Sequence, residues 1–350
     1  MLVRTARSFG AEQLTPRMRS AEAARAVDAE VHATYASIGL GGLELPVALD
    51  GAGLGPLARV LVNEELGAAD PGAALALDRL GHALYPLLEL GGEPAVRELA
   101  LPLLDVQGTR AALIVSDDAA LEVSGDTLSC EIAWIPAERV DLLVVLQQGG
   151  ALVISDGISS EPVNGAGLRA SGGCCLSLRR AKIAARLSGE EGAQRALARA
   201  RLYVASLLIG VLREAADYSR RYALERVAFG KPIAHHQALA FLITDMHAAV
   251  EGARLLLHDA AFRAERGLPC AGEAASAFVE AVEASRLVGP AAVQILGGHG
   301  FMQDHPVEKH MREARALGLL LGGVDAAREQ AGALLCSGVP PVELSALGQS

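Results

Sequence analysis

Aromatic residues make up 3% of this 350-residue chain, with a single tryptophan, Trp134. Platforms that stack nucleic-acid bases need more aromatic surface than that. No basic block offsets the formal net charge of −10, which argues against nucleic acid or an anionic membrane as partner. No uncharged apolar run reaches the roughly 18 residues of a membrane span, although 51% of residues are hydrophobic and mean hydropathy is +0.30. That apolar content is mostly alanine and leucine, the composition of packed helices. Met1-Leu2-Val3-Arg4 opens neither the apolar core nor the cleavage site of a secretory signal, so a cytoplasmic protein is expected. The five cysteines, Cys130, Cys174, Cys175, Cys270 and Cys336, form no CxxC pair. They offer no zinc or dithiol motif and read as buried free thiols.

What is present divides into three stretches. Residues 1–104 read as a helical domain: an alanine-rich run from Ala11 to Ile38, then Pro56–Leu66 and Ala73–Leu90. Ala69-Asp70-Pro71-Gly72 breaks the last two with turn residues. Asp50-Gly51-Ala52-Gly53-Leu54-Gly55 lacks the spacing of a dinucleotide fingerprint and follows no strand, so it reads as a loop. Residues 105–187 carry short apolar or alternating runs separated by turns: Ala111–Val115, Thr127–Ile132, Asp141–Leu146 and Ala151–Ser155. These predict a small inserted β-barrel or sandwich. Residues 188–350 return to helical periodicity. Leu197, Val204, Leu208, Val211, Ala215, Tyr218 and Tyr222 share one helix face, interrupted by Arg201, which must snorkel or meet an anion. A second helix repeats the pattern from Leu239 to Ala260. A third runs from about Gly272 to Leu296 with a bend at Pro290, and a fourth starts near Pro306. Four long helices joined by short loops predict an antiparallel bundle.

Several motifs then fall in order along the chain. Tyr222-Ala223-Leu224-Glu225-Arg226-Val227-Ala228-Phe229-Gly230-Lys231-Pro232-Ile233 is followed by His236-Gln237. Gln294-Ile295-Leu296-Gly297-Gly298-His299-Gly300-Phe301 ends an apolar helix in glycines. Pro306-Val307-Glu308-Lys309 and Arg312-Glu313-Ala314-Arg315 come next. Glu64-Glu65-Leu66-Gly67-Ala68-Ala69-Asp70 and Gly167-Leu168-Arg169-Ala170-Ser171 lie upstream. Together with the helical, β, helical layout, these resemble the acyl-CoA dehydrogenases over nearly the whole chain. The resemblance implies that fold, and an assembly in which FAD lies across a subunit interface, one subunit holding the isoalloxazine and its mate the ADP half.

The elements lent to a mate are all matched. The resemblance implies a pyrophosphate contact for Arg226, whose guanidinium fork suits that role. It implies adenosine-side packing for Phe229 and Ile233, polar contacts for His236 and Gln237, and adenine-side contacts for Gln294 and its neighbour Ile295. Gly297 and Gly298 admit close backbone approach. The elements a subunit needs for its own flavin are not matched. The family's Glu-Gly-Thr, with its proton-abstracting glutamate, corresponds to Leu321-Gly322-Gly323, and leucine has no titratable group. The alternative glutamate position, just before Arg201, is Ala200. The Thr-Glu-x-x-x-Gly-Ser-Asp segment that should follow Ala112–Val115 is replaced by Ser116-Asp117-Asp118-Ala119-Ala120-Leu121. The Trp-Ile-Ser/Thr tripeptide is Trp134-Ile135-Pro136, and proline removes both a hydroxyl and an N–H.

Losses that fall on the elements used in cis and spare those donated in trans imply a heteromeric assembly, α2β2. In it a catalytic acyl-CoA dehydrogenase subunit binds acyl-CoA and this chain completes its FAD site. The chain resembles the shortened subunit of heterotetrameric actinobacterial acyl-CoA dehydrogenases of steroid side-chain catabolism. On this reading the chain holds no catalytic residue, no metal and, at most, a remnant acyl-CoA contact at Arg201. Two rivals are a stand-alone flavoenzyme of altered chemistry, such as a flavin oxygenase, and a flavin-free interaction module. An oxygenase needs the isoalloxazine pocket whose sequence elements are missing, and the intact Arg226 and Gln294 motifs speak against the second.

Overall fold

The computed structural model of the chain describes residues 1–106 and 108–336. The last part of the expected third unit, 337–350, lies outside them. Helix dominates the N-terminal third, as expected, and the alanine-rich run Ala11–Ile38 is not one continuous helix. Its place is taken by α2 (Met18–Ala24) and α3 (Ala29–Ser37), after α1 (Leu2–Phe9). Arg25 at φ +57 stops α2, because a left-handed residue cannot continue a right-handed helix. α4 (Pro56–Ala69) and α5 (Pro71–Leu77) each begin on proline, whose fixed φ suits a first turn. The Asp70 carboxylate caps α5 by accepting the Ala73 N–H at 3.1 Å. Beyond Leu77 the chain runs in short helical turns, so the helix expected to reach Leu90 ends thirteen residues early.

Among the described residues, eight strands build the middle region. They are β1 (Ala111–Val115), β2 (Glu122–Ser124), β3 (Thr127–Ile135), β4 (Leu142–Gln147), β5 (Gly150–Ile154), β6 (Ile158–Pro162), β7 (Cys174–Lys182) and β8 (Ala185–Ser188). Two four-stranded sheets result, in the orders β1-β4-β5-β8 and β2-β3-β7-β6. β1 pairs with β4 in parallel, Ala111 opposite Leu142, and the other pairs are antiparallel. Ala112, Ile114, Leu143, Val145, Leu152 and Ile154 meet the second sheet. The alternating residues Leu113, Val115, Leu142, Val144 and Val153 pack into the helical core. A sheet covered on both faces is written as continuous apolar runs, which is what made β1, β4 and β5 conspicuous in the sequence.

The C-terminal bundle contains α6 (Glu190–Glu225), α7 (Gln237–Glu265), α8 (Ala271–Leu296), α9 (Val307–Leu317) and α10 (Gly323–Cys336). The expected long fourth helix is two shorter ones. Leu321, Gly322 and Gly323 have φ of +57, +79 and +69, and three successive left-handed residues force the corner. α4 docks on α6 backbone to backbone. A Cβ on Gly67 would lie 2.4 Å from the Leu207 carbonyl, and one on Gly210 would lie 2.3 Å from that of Glu64. Neither position tolerates a side chain without prising the N-terminal helices off the bundle.

Candidate cofactor face and the closed corner

α6 ends at Arg226, whose extended backbone (φ −72, ψ 119) turns the chain out of the helix. A two-residue turn follows between β9 (Val227–Ala228) and β10 (Lys231–Pro232). Its residues, Phe229 at φ +53 and Gly230 at φ +80, have the left-handed pair of signs that a tight hairpin requires. Phe229 is 96% exposed. Behind it, the Ile233 N–H donates to the Arg226 carbonyl at 2.8 Å, and buried Ile233 anchors the hairpin to the core. His236 Nε2 bonds the Ala228 carbonyl at 3.1 Å, and its ring meets that of Phe229 edge-on. Gln237 opens α7 and is exposed. The Arg226 guanidinium is exposed and has no ion-pair partner among the described residues.

The glycine turn comes up beside this hairpin. Gln294 is exposed in the last turn of α8, and Ile295 points into the core. Only the Ile295 backbone is therefore left for the outer face. Gly297 at φ +59, ψ −131 ends the helix, a conformation essentially closed to residues with a Cβ. Gly298 differs: a Cβ there would meet nothing within 4 Å. Tyr222 Oη and His299 Nδ1 are hydrogen-bonded at 2.8 Å, so the end of α6 and the glycine turn share one surface. That surface offers a free guanidinium, a primary amide, exposed backbone and an exposed aromatic ring, the donor set of a site for a phosphate-bearing aromatic ligand.

The corner between α9 and α10 has the opposite character. Leu321 is 2% exposed and sits in the apolar core, as does Ala200. The Gly322 N–H donates to Asp118 Oδ1 at 2.9 Å. Asp118 Oδ2 accepts the Val115 N–H, also at 2.9 Å. Burial pushes the Asp118 carboxyl up from its ordinary range, against the pull of those two donors. Arg201 neither snorkels nor meets a carboxylate. It is 2% exposed, donates from Nη1 to Gln330 Oε1, and leaves Nε without a partner. Burial brings its pKa down to about 10. Pro136 is buried, and Trp134 Nε1 finds no hydrogen bond among the described residues. The indole lies against the backbone of Gly165 and Gly173, where a Cβ would come within 2.9 and 3.3 Å of Nε1.

Two buried ionic clusters were not singled out in the sequence as structural centres. The Lys309 ammonium lies 3.1 Å from Asp70 and 2.9 Å from Glu313, and Glu313 also accepts the Gly72 N–H at 3.2 Å. Burial works against the Lys309 charge, but the two carboxyls outweigh it and hold its pKa above the ordinary value. The signal was present in the Glu64–Asp70 and Pro306–Arg315 motifs, which this triad joins. The second cluster centres on Glu44. It pairs with Arg59 at 3.0 Å and Arg199 at 2.8 Å and accepts the Tyr85 hydroxyl at 2.7 Å. Arg59 also reaches Asp78 at 3.3 Å, which accepts the Tyr203 hydroxyl at 3.1 Å. Nothing in the local sequence pattern brings those five elements together.

Comparison with known proteins gives a consistent answer. A sequence profile described as acyl-CoA dehydrogenase, N-terminal domain, matches residues 1–104, and one described as acyl-CoA dehydrogenase, C-terminal domain, matches residues 188–334. The mitochondrial short-chain specific acyl-CoA dehydrogenase of Bos taurus is 30% identical over 352 residues, covering 90% of this chain and 84% of that protein. Acryloyl-CoA reductase (NADH) of Anaerotignum propionicum is 29% identical over 350 residues, covering 90% and 88%. Butyryl-CoA dehydrogenase from Megasphaera elsdenii superposes with a TM-score of 0.82 at 24% identity, over 96% of this chain and 97% of that one. A variant of the Tcur3481-Tcur3483 steroid ACAD superposes with a TM-score of 0.80 at 24% identity, over the same shares. At such identities the structural likeness speaks for the fold.

Proposed function

The chain belongs to the acyl-CoA dehydrogenase family, and we propose that it serves there as the non-catalytic subunit of a heteromeric, FAD-dependent acyl-CoA dehydrogenase. Its outer face completes the ADP half of a FAD whose isoalloxazine is held by a catalytic partner. Arg226 would meet the pyrophosphate, Gln294 and the Gly297–Gly298 backbone the adenine side, and Phe229 the adenosine. His236 supports the hairpin from behind, and Gln237 stands exposed beside it at the start of α7. Bound FAD supplies the two-electron oxidation of the acyl Cα–Cβ bond, while the α-proton goes to a base on the partner.

The observation that carries this reading is the state of Leu321. A buried leucine stands where the family keeps its base, and the adjoining N–H is already taken by Asp118. Deprotonation α to a thioester requires a group that can accept a proton, and neither Leu321 nor Ala200 is one. The chain's own isoalloxazine side fits the cofactor poorly as well, since Pro136 and Gly323 replace the expected hydroxyl residues. The donated face fits: the Arg226 guanidinium has no ion-pair partner among the described residues, Gln294 is exposed, and the open space at Gly298 leaves its backbone approachable. That the Tcur3481-Tcur3483 steroid ACAD is named as a pair supports the partner reading, and a steroid acyl-CoA is accordingly the first substrate to try.

The test is flavin stoichiometry. The chain is purified alone and co-expressed with the product of its neighbouring gene, and visible flavin absorbance is read against protein. About one FAD per pair of unlike chains, with dehydrogenation only in the mixture, is the expected result. Full flavin occupancy of the isolated chain, one per subunit, would sink the proposal and favour a stand-alone flavoenzyme. In the co-expressed assembly Arg226→Ala should strip the FAD.

A further inference from the structure

Four aromatic side chains that belong to none of the matched motif contacts lie between the end of α6 and the glycine turn. Tyr218 and Tyr222 are four residues apart on α6 and so stand on one face of the helix. Tyr218 Oη is hydrogen-bonded to His305 Nδ1 at 2.7 Å, and Tyr222 Oη to His299 Nδ1 at 2.8 Å. The two imidazoles stack, with centroids 5.4 Å apart and planes 15° from parallel. Both tyrosine rings meet His305 edge-on. A second tether comes from α2, where Arg19 donates to the Gln303 carbonyl at 2.9 Å and the His305 carbonyl at 2.8 Å.

We infer that Tyr218, Tyr222, His299 and His305 form a clamp that fixes the Gly297–Gly298 backbone relative to Arg226, and that imidazole protonation opens it. The inference rests on the ADP-half reading of this face. Without the clamp, what remains to place the turn among the described residues is its flanking helices and the Arg19 tether. A turn whose glycines present bare backbone binds a ligand well only if its angle is set beforehand, since ordering it on binding costs affinity. These four are therefore positioning residues: they act through Gly297 and Gly298 and touch no reacting atom.

The same geometry makes the clamp sensitive to acid. Histidine is the side chain that ordinarily gains charge between pH 5 and 8, and two stacked imidazolium rings repel. The charged groups around the clamp carry both signs and are largely paired with one another. From α6, Arg221 lies over the Tyr218 ring at 5.8 Å, while Glu214 and Glu225 act on the Tyr218 hydroxyl. Glu214 is engaged by Arg221 at 2.6 Å. From α2, Arg19 adds a second cation, itself paired with Glu22 and with Glu308 of α9. Asp304, in the turn itself, is exposed.

The experiment uses the co-expressed assembly and measures FAD retention between pH 8 and pH 5.5. Wild type should hold FAD at pH 8 and release it on acidification. Tyr218→Phe/Tyr222→Phe should weaken FAD about tenfold at pH 8, the effect of two lost hydrogen bonds. His299→Gln/His305→Gln keeps hydrogen-bonding side chains that take no charge, and should flatten the acid limb. Wild-type affinity in the tyrosine variant together with an unchanged acid limb in the glutamine variant overturns the clamp. Amide exchange of residues 297–305 in the full chain without partner separates this from failure of the FAD reading. Exchange there should rise on acidification in wild type and not in the glutamine variant, and equal exchange in the two again overturns the clamp. If exchange behaves as expected but Arg226→Ala leaves FAD untouched, the cofactor role of the clamp falls with the ADP-half reading.

Discussion

The carboxylate of Asp118 receives the backbone N–H of Gly322 at 2.9 Å and that of Val115 at the same distance. One side chain thus ties the end of β1 to the corner between α9 and α10, beside Leu321. The short loop after β1 lies down on the corner where, on the proposed reading, the family's catalytic glutamate would stand. Restoring that residue alone should not restore chemistry. Leu321→Glu buries a carboxylate among apolar side chains, and should cost about 3 kcal/mol or more by chemical denaturation. The variant, purified alone, should give no dye-linked dehydrogenation of butyryl-CoA or a steroid acyl-CoA. Turnover by the single chain would show that the corner still holds a working site.

Phe229 combines left-handed backbone with a fully presented ring, which the proposed cofactor role would explain. A bulky residue at φ +53 costs about 1–2 kcal/mol relative to one that visits the left-handed region readily, and its ring is left in water. Phe229→Asn is therefore expected to stabilise the isolated chain by about 1 kcal/mol while weakening FAD retention in the assembly. Denaturation midpoints and flavin content, read on the same variant, should move in opposite directions. If both rise, or both fall, the ring is there for this chain's own fold.

Gly298 provides a cleaner version of that argument. No atom lies within 4 Å of where its Cβ would sit, so Gly298→Val should leave stability of the isolated chain within about 0.5 kcal/mol. In the assembly the same valine would stand where the cofactor's adenine side approaches, and FAD content should drop several-fold. Gly297→Ala behaves differently, because its φ and ψ are closed to alanine whatever surrounds it. A Gly298→Val variant that keeps its flavin would remove the glycine turn from the proposed site.

The three-part layout was legible because each part writes a different periodicity: 3.6 residues in α6, α7 and α8, unbroken apolar runs in the doubly covered β1, β4 and β5. The polar strands β2, β6 and β8 carry no such signal and were missed, and so was β7, despite the alternation of buried Cys174, Leu176 and Leu178. Helix breaks were missed where they depend on one residue turning left-handed, as at Arg25 and at Leu321, since neither residue type announces positive φ. Arg201 was read as snorkelling or anion-bound. Its actual partner, Gln330, lies 129 residues away on α10, a distance across which periodicity says nothing. The motif residues of the cofactor face could be named because they lie in two short segments. The Glu44 and Lys309 clusters join residues far apart in the sequence and appear only when their elements are assembled.

Lys309 tests how much the N-terminal helices depend on the bundle. Its ammonium is 1% exposed and neutralises Asp70, the cap of α5, together with Glu313. Lys309→Met removes the cation and leaves carboxyls buried, which should cost about 3–5 kcal/mol. Adding Asp70→Asn and Glu313→Gln removes the stranded charges and should recover most of that loss. The comparison is made by denaturant midpoint on the three chains. A triple variant no better than Lys309→Met would mean that packing rather than charge makes the site sensitive.

His310 gives the chain's acid sensitivity a residue. It is 2% exposed and neither ring nitrogen has a hydrogen-bond partner among the described residues. Burial, reinforced by Lys309, Arg19 and Arg221, brings its pKa down to about 3. The folded chain therefore refuses a proton that the unfolded chain takes up below the ordinary imidazole value of about 6.5. The sign follows: the neutral ring's contribution is present above that pH and is lost as pH falls toward 3. The loss runs at about 1.4 kcal/mol per pH unit for one proton. His82, brought down to about 4 by burial and by Arg110, adds a second contribution of the same sign. His310→Leu removes one of the two, along with two unsatisfied polar atoms. Its stability at pH 7 should equal or exceed wild type, and its slope between pH 6 and pH 4 should be shallower by about 1.4 kcal/mol per unit. Urea midpoints across that range decide it, since a slope identical to wild type would mean that His310 takes up its proton without unfolding.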